Sequence, residues 1–177
     1  CSYVILLFFL EVKMRIAGFY DNSCTNGEGW RSVLFVAGCP HKCLGCQNPQ
    51  TWDYNFSEEI EDTSKYIEKI LKNKKLIDGL TISGGEPFQE RNVKPLLEII
   101  KAVKTHGLNI WCYTGYKYED LIKNQLYVDL LNEIDVLVDG PFVKDEFCPN
   151  IKFRGSKNQR LLDIPRSLKE KIAVEIA

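Results

Sequence analysis

Short apolar runs separated by polar stretches predict a series of β-strands along this chain. Four of the runs are continuous, as in buried strands, and one alternates more weakly between apolar and polar positions. They lie at 14–20, 32–37, 80–83, 109–113 and 135–139. The segment 21–30 is rich in Asn, Gly and Ser, so it predicts a loop after the first strand.

Apolar residues at helical spacing predict three amphipathic helices between these strands. The first is expected to begin at Ser57, a good N-cap residue that is closely followed by three acidic residues. The second covers 92–105. The third covers 119–133, with a break near Asn124.

Strand and helix alternate at least three times, which predicts an α/β fold with a parallel sheet and right-handed crossovers. A complete eight-stranded barrel needs about 250 residues, more than the 177 present. We therefore expect an open partial (β/α) barrel with a parallel sheet and flanking helices. The pattern contains no repeat, so residues 14–177 are expected to form a single domain, with short ordered pieces of uncertain type at 161–164 and 172–176.

Residues 1–13 differ from the rest of the chain. Tyr3 to Leu10 is an unbroken run of eight apolar residues, but it lacks the basic start and the small-residue cleavage site of a signal peptide. The only methionine is Met14, a natural starting point. We interpret 1–13 as a doubtful N-terminal extension upstream of the working domain, and a buried extra strand is the alternative.

Composition excludes several classes of function. The net charge of −1 gives no general attraction to nucleic acid or to an anionic membrane, and no apolar run reaches the ~20 residues of a membrane span. Neither kind of partner is therefore expected. Seven cysteines, an odd number, argue against a disulfide framework and for a reducing compartment, which predicts a cytoplasmic protein.

Three of the cysteines, Cys39, Cys43 and Cys46, lie within eight residues directly after the strand at 32–37. Thiolates this close together can bind one metal ion or cluster. A cluster of four irons normally takes four thiolates, so three would leave one iron open, as catalytic zinc sites leave one position open. A zinc knuckle that uses His41 or a distant cysteine remains the alternative, whereas a catalytic thiol would lack a paired base.

A second motif, Ser83-Gly84-Gly85-Glu86-Pro87, follows the next strand directly. Two glycines allow backbone carbonyls to approach a ligand closely, and with Glu86 they would form an acceptor-rich edge that suits an ammonium group. A pair of glycines after a strand is also common in plain tight turns.

Other polar residues have simpler interpretations. Trp111 and Tyr113 are expected in the core, and the basic loop 154–160 is either a solvated surface or a docking site for a partner. Asp139, at the end of a strand, is a possible site residue. His41 has no obvious partner and receives no role.

The thiol spacing together with the motif at 84–87 resembles the radical S-adenosylmethionine enzymes. In that family the fourth iron binds the amino and carboxylate groups of S-adenosylmethionine, and a GGEP-like motif holds the amino group. Further segments are similar to activating proteins of the anaerobic ribonucleoside-triphosphate reductase, a branch of the glycyl-radical activating enzymes. These segments are 26–31, 111–116, 135–142 and 154–159, and the similarity runs from Asn26 to Asp163.

The resemblance implies two cofactors, a 4Fe-4S cluster held by Cys39, Cys43 and Cys46, and S-adenosyl-L-methionine. The residues implied in binding the second are Gly45, Cys46, Gln47, Gly84, Gly85, Glu86 and Thr114. Two positions depart from the family pattern, because Glu28 replaces a usual proline and Gln47 replaces an aromatic residue or His. Backbone contacts from 45–47 are therefore expected rather than side-chain stacking.

The implied function is reductive cleavage of S-adenosylmethionine, giving a 5′-deoxyadenosyl radical that installs a glycyl radical on the large subunit of the reductase. Flavodoxin or ferredoxin is expected as the reductant. The alternatives are activation of another glycyl-radical enzyme, radical chemistry on a small molecule, and a zinc-binding adaptor domain without turnover.

Overall fold

The computed structural model describes residues 13–176, so the doubtful extension lies outside the described residues except for Lys13. Seven strands form one sheet in the order β3-β1-β2-β4-β5-β6-β7. The strands are β1 (Arg15–Ser23), β2 (Arg31–Val36), β3 (Glu58–Glu59), β4 (Gly79–Gly84), β5 (Asn109–Tyr113), β6 (Val136–Asp139) and β7 (Arg160–Asp163).

The predicted α/β class with flanking helices is confirmed, but the sheet is mixed, so the predicted parallel pairing holds only for its central strands. β2, β4, β5 and β6 are parallel to one another, whereas β1 and β7 pair with their neighbours in the antiparallel direction. The reason lies in the connections. A parallel pair needs a crossover, usually helical, and the segments 24–30 and 140–159 contain no α-helix.

Five α-helices accompany the sheet within residues 13–176. They are α1 (Ser64–Lys72), α2 (Glu90–Lys104), α3 (Tyr118–Leu121), α4 (Gln125–Leu131) and α5 (Ile164–Glu170). The predicted break near Asn124 is confirmed, because the Asn124 side chain caps α4 by accepting a hydrogen bond from the Leu126 N–H.

The predicted helix start at Ser57 was wrong. Glu58–Glu59 instead pairs with β1 as the short strand β3, and α1 begins after Thr63. Arg15 explains the difference, since its guanidinium donates to the Ser57 carbonyl oxygen and to the Glu59 carboxylate, both at 2.9 Å. An ion pair and a strand pairing thus hold residues that would otherwise suit a first helical turn.

The two faces of the parallel strands have different roles, because successive side chains in a strand point to opposite sides. On the face toward the helices, Leu34, Ile82 and Cys112 lie in the hydrophobic core with α2. On the other face, Phe35, Ser83 and Tyr113 border a cavity at the carboxyl ends of the strands. No helix in residues 13–176 is long and apolar enough to cross a membrane.

Candidate functional site

The cysteine loop leaves the sheet at the carboxyl end of β2 and is closed at its base by backbone hydrogen bonds. The Gly38 N–H donates to the Thr51 carbonyl oxygen at 2.8 Å, and the Cys39 N–H donates to that of Trp52 at 3.3 Å. The prediction that the three cysteines directly follow this strand is confirmed.

The three thiols fit the donor set of an iron–sulfur cluster. Cys39, Cys43 and Cys46 are free and half-buried in residues 13–176, and the Asn48 N–H donates to the Cys46 sulfur at 3.4 Å. Backbone N–H groups directed at sulfur are a usual feature of such sites. Burial raises the pKa of the Cys39 thiol to about 11, so a bound cation is what would deprotonate it.

A single metal ion and a four-iron cluster need different arrangements of ligands. No three His, Cys, Asp or Glu side chains in the described part of the chain converge closely enough to hold one metal ion. A structural zinc site needs four such ligands around one point. A cluster of four irons takes its thiolates on separate irons, so the sulfurs need not meet at one atom.

A cavity of about 330 Å³ adjoins the cysteine loop, a size typical of small-molecule sites, which span about 300–1,000 Å³. Cys46 and Gln47 line it from the loop. Gly45 lies in the same loop, with the side chains of Phe142 and Lys144 next to it. Side chains from the sheet and from the segment 151–159 complete the wall, among them Ser83, Tyr113, Arg154 and Gln159.

The glycines that follow β4 let this turn pack against the base of the cysteine loop. The Gly85 N–H donates to the Val36 carbonyl oxygen at 2.7 Å, and the Glu86 N–H donates to that of Gly38 at 2.8 Å. A Cβ on Gly85 would collide with the Gly38 carbonyl. Close approach of protein backbone is therefore one reason for glycine here, and contact between Gly84 or Gly85 and a ligand stays a prediction.

The Glu86 side chain is fully buried and accepts four hydrogen bonds. One carboxylate oxygen accepts from the Phe88 N–H at 3.0 Å and from the Thr114 hydroxyl at 2.8 Å. The other accepts from the Gly115 N–H at 2.9 Å and lies 2.8 Å from His41 Nε2. The interpretation that His41 lacks a partner was wrong, and the Thr114 hydroxyl faces Glu86 rather than the cavity.

Sequence reasoning missed the cavity residues Arg154 and Gln159, because it interpreted their loop as either a solvated surface or a docking site for a partner. Arg154 Nε is buried without a hydrogen-bond partner in residues 13–176. Trp111 is buried as predicted, but Tyr113 also borders the cavity, and burial raises the pKa of its hydroxyl. The glycine and the basic residues of this loop were the available signal for a place in the cavity wall, because such a wall needs a sharp turn of the chain and hydrogen-bond donors that face the ligand.

Asp139 has a structural environment rather than a place in the cavity wall. Its carboxylate accepts from the Tyr118 N–H at 2.8 Å and from Arg160 Nε at 2.9 Å. Arg160 also binds Glu119 at 2.8 Å, so one guanidinium on the edge strand β7 joins that strand to β6 and α3.

Comparison with known proteins agrees with this geometry. A family model described as a 4Fe-4S single cluster domain matches residues 25–162. The chain is 39% identical over 150 residues to the anaerobic ribonucleoside-triphosphate reductase-activating protein of Haemophilus influenzae, covering 82% of this chain and 96% of that protein.

Two further relatives have the same name. The protein of Salmonella typhimurium is 40% identical over 153 residues, covering 82% of this chain and 96% of its own. That of Enterobacteria phage T4 is 38% identical over 146 residues, covering 80% and 89% respectively. With the three thiols and the adjoining cavity, these similarities show that the chain belongs to the family of anaerobic ribonucleoside-triphosphate reductase-activating proteins, with a 4Fe-4S single cluster domain.

Proposed function

We propose that this chain cleaves S-adenosylmethionine reductively at a 4Fe-4S cluster held by Cys39, Cys43 and Cys46, and so installs a glycyl radical on an anaerobic ribonucleoside-triphosphate reductase. One observation supports this most directly. Cys46 belongs to the three-thiol loop and also lines the cavity, so a ligand in the cavity would lie beside the metal. The names of the relatives support the choice of reductase as the target.

When bound, the cluster would supply the electron that breaks the bond between the sulfonium and the 5′ carbon, leaving methionine and a 5′-deoxyadenosyl radical. The chain's own residues would bind and orient the cosubstrate. In this proposal the main chain of 45–47 and of 84–86 lines its two ends, and Thr114 acts indirectly through Glu86. Walls formed by Tyr113 and the segment 151–159 would keep water from a reactive primary radical.

The fold suits a large partner. We propose that the sheet forms an open partial barrel whose mouth admits the glycine-bearing loop of the reductase, and that 14–177 act as a single activase domain. A reduced flavodoxin or ferredoxin is the proposed electron donor. The six free cysteines of residues 13–176 favour a reducing, cytoplasmic setting.

The test uses anaerobically reconstituted protein with dithionite and S-adenosylmethionine. Wild-type protein should contain iron and acid-labile sulfide, and should release 5′-deoxyadenosine and methionine. Cys43→Ala should lose both the brown chromophore and the cleavage, because two thiols hold a cluster poorly. Cys148→Ala is the matched control, since Cys148 is also free and half-buried but lies in a different loop, and it should behave as wild type.

Two results would reject the proposal. One is normal cleavage by a Cys43→Ala variant that holds no cluster. The other is one tightly bound zinc without sulfide in the wild-type protein, which would favour an adaptor domain. Adding the reductase to the active mixture should produce a glycyl radical signal in electron paramagnetic resonance, and its absence despite cleavage would point to another substrate.

A further inference from the structure

We propose that His41 and Glu86 are positioning residues whose side chains fix the cysteine loop against the sheet and do not contact the ligand. Only the expected effect of this contact on the cluster rests on the proposed function. The tie itself is a property of the metal-free protein, so it can be tested separately.

The carboxylate of Glu86 has no capacity left for a ligand. An ionised carboxylate offers about four lone-pair positions, and Glu86 uses four, with Phe88, Thr114, Gly115 and His41 as partners. Its exposed fraction is zero. An ammonium group could bind this carboxylate only by displacing a protein donor, so the side chain acts on the protein.

His41 is the group that carries this restraint to the cysteine loop. It lies two residues from both Cys39 and Cys43, and only 18% of its side chain is exposed. Its ring packs edge-on against Tyr116, with 4.5 Å between the ring centroids. A Cβ on Gly115 would collide with the imidazole, so this glycine leaves the space that the ring occupies.

A single hydrogen bond links the middle of the loop to the described residues outside the loop. In residues 13–176, the contact between His41 Nε2 and Glu86 is the one hydrogen bond that joins residues 40–44 to another segment of the chain. Because a carboxylate only accepts, Nε2 must donate, which also fixes the orientation of the ring. Backbone hydrogen bonds at Gly38 and Cys39 fix the base of the loop, whereas the position of Cys43 relative to the turn after β4 depends on the packing and the hydrogen bond of His41.

The first experiment measures hydrogen–deuterium exchange of the metal-free protein under reducing conditions. His41→Phe keeps a flat ring but removes the donor, so exchange in 39–47 and around Gly115 should rise at least about tenfold, as expected when a hydrogen bond to a charged group is lost. His41→Gln places a donor at a similar reach and should restore most of the protection. His106→Phe is the matched control, since His106 is the other histidine and is exposed.

Wild-type exchange rates in His41→Phe would overturn the proposal, as would a Gln variant no better protected than the Phe variant. A rise spread evenly over α2 as well would also overturn it, because it would indicate general destabilisation.

The second experiment compares the reconstituted proteins by electron paramagnetic resonance and by the midpoint potential of the cluster. A positioning role predicts a changed spectrum or potential in His41→Phe and recovery in His41→Gln, whereas identical spectra and potentials would overturn that role. If wild-type protein takes up no cluster, the proposed function fails while the exchange result still decides whether the tie exists.

Discussion

Replacing Glu86 by Gln is the sharpest perturbation of the site, because it changes one carboxylate oxygen to NH₂ and leaves the volume of the side chain almost unchanged. The carboxylate accepts four hydrogen bonds, whereas the amide can accept at its oxygen only. If the NH₂ faces His41 and Gly115, the imidazole can change tautomer and accept, but the Gly115 N–H cannot.

The expected cost follows from this count. One backbone N–H is left facing another donor in a buried place, which costs about 1–3 kcal/mol. The remaining bonds lose their charge assistance, since hydrogen bonds to charged groups contribute about 1.5–3 kcal/mol and neutral ones about 0.5–1.5 kcal/mol. We therefore expect Glu86→Gln to lower the free energy of unfolding by about 3 kcal/mol, a large share of the 5–15 kcal/mol typical of a domain.

Urea unfolding of the metal-free protein measures this directly, with the midpoint converted to free energy at constant slope. Glu58→Gln is the matched control, because Glu58 is exposed and pairs with Lys65 at the surface, so it should change stability by less than about 1 kcal/mol. A loss below about 1 kcal/mol in Glu86→Gln would refute the reasoning, since the carboxylate would then not be the acceptor of four buried donors.

Two further predictions concern the turn after β4 and the ion pair between Arg160 and Glu119 at the β7 edge of the sheet. Gly85→Ala should lower stability by about 1–3 kcal/mol, because the added methyl meets the Gly38 carbonyl. Thermal melting of the metal-free variant measures it, and a melt equal to wild type would contradict the packing described. Hydrogen bonds from Arg160 lower the pKa of Glu119 from 4.5 to about 2. The stability that this pair adds is therefore present above pH 4.5 and lost as pH falls toward 2. Glu119 is half exposed, so in urea unfolding at pH 6 the wild type should be more stable than Glu119→Gln by at most about 1 kcal/mol. The difference should disappear near pH 2. A difference that does not depend on pH would argue against the pair.

The sequence predicts the parallel strands and the long helix α2 well, because each has a continuous apolar pattern of the right period. It also places the cysteine loop correctly at the carboxyl end of β2. The pattern contains no information on strand direction, however, since apolar alternation is the same in both directions. The lack of any helical pattern in 24–30 was the available clue that β1 and β2 are antiparallel.

The sequence does not predict the partner of His41. Forty-five residues separate His41 from Glu86, and nothing local marks either residue as half of a pair. The contact depends on β2 and β4 being adjacent and parallel, which brings their following loops to one edge. The motif also led to the prediction that Glu86 binds the ligand. A sequence motif does not show whether a residue acts through its side chain or through its main chain.

The main chain and the side chain of Glu86 both hold together the loops at the carboxyl edge of the sheet. Glu86, in the loop after β4, contacts the loops after β2 and β5. Its N–H donates to the Gly38 carbonyl oxygen, and its carboxylate accepts hydrogen bonds from His41 and Gly115. A buried acceptor with four partners on three segments restricts all three at once, since moving any of them leaves a buried donor without an acceptor. The cavity beside Cys46 is bounded by the loop after β2, by Ser83 and Tyr113 at the ends of β4 and β5, and by the segment 151–159. Its wall on the side of the cysteine loop therefore depends on a side chain that does not line it.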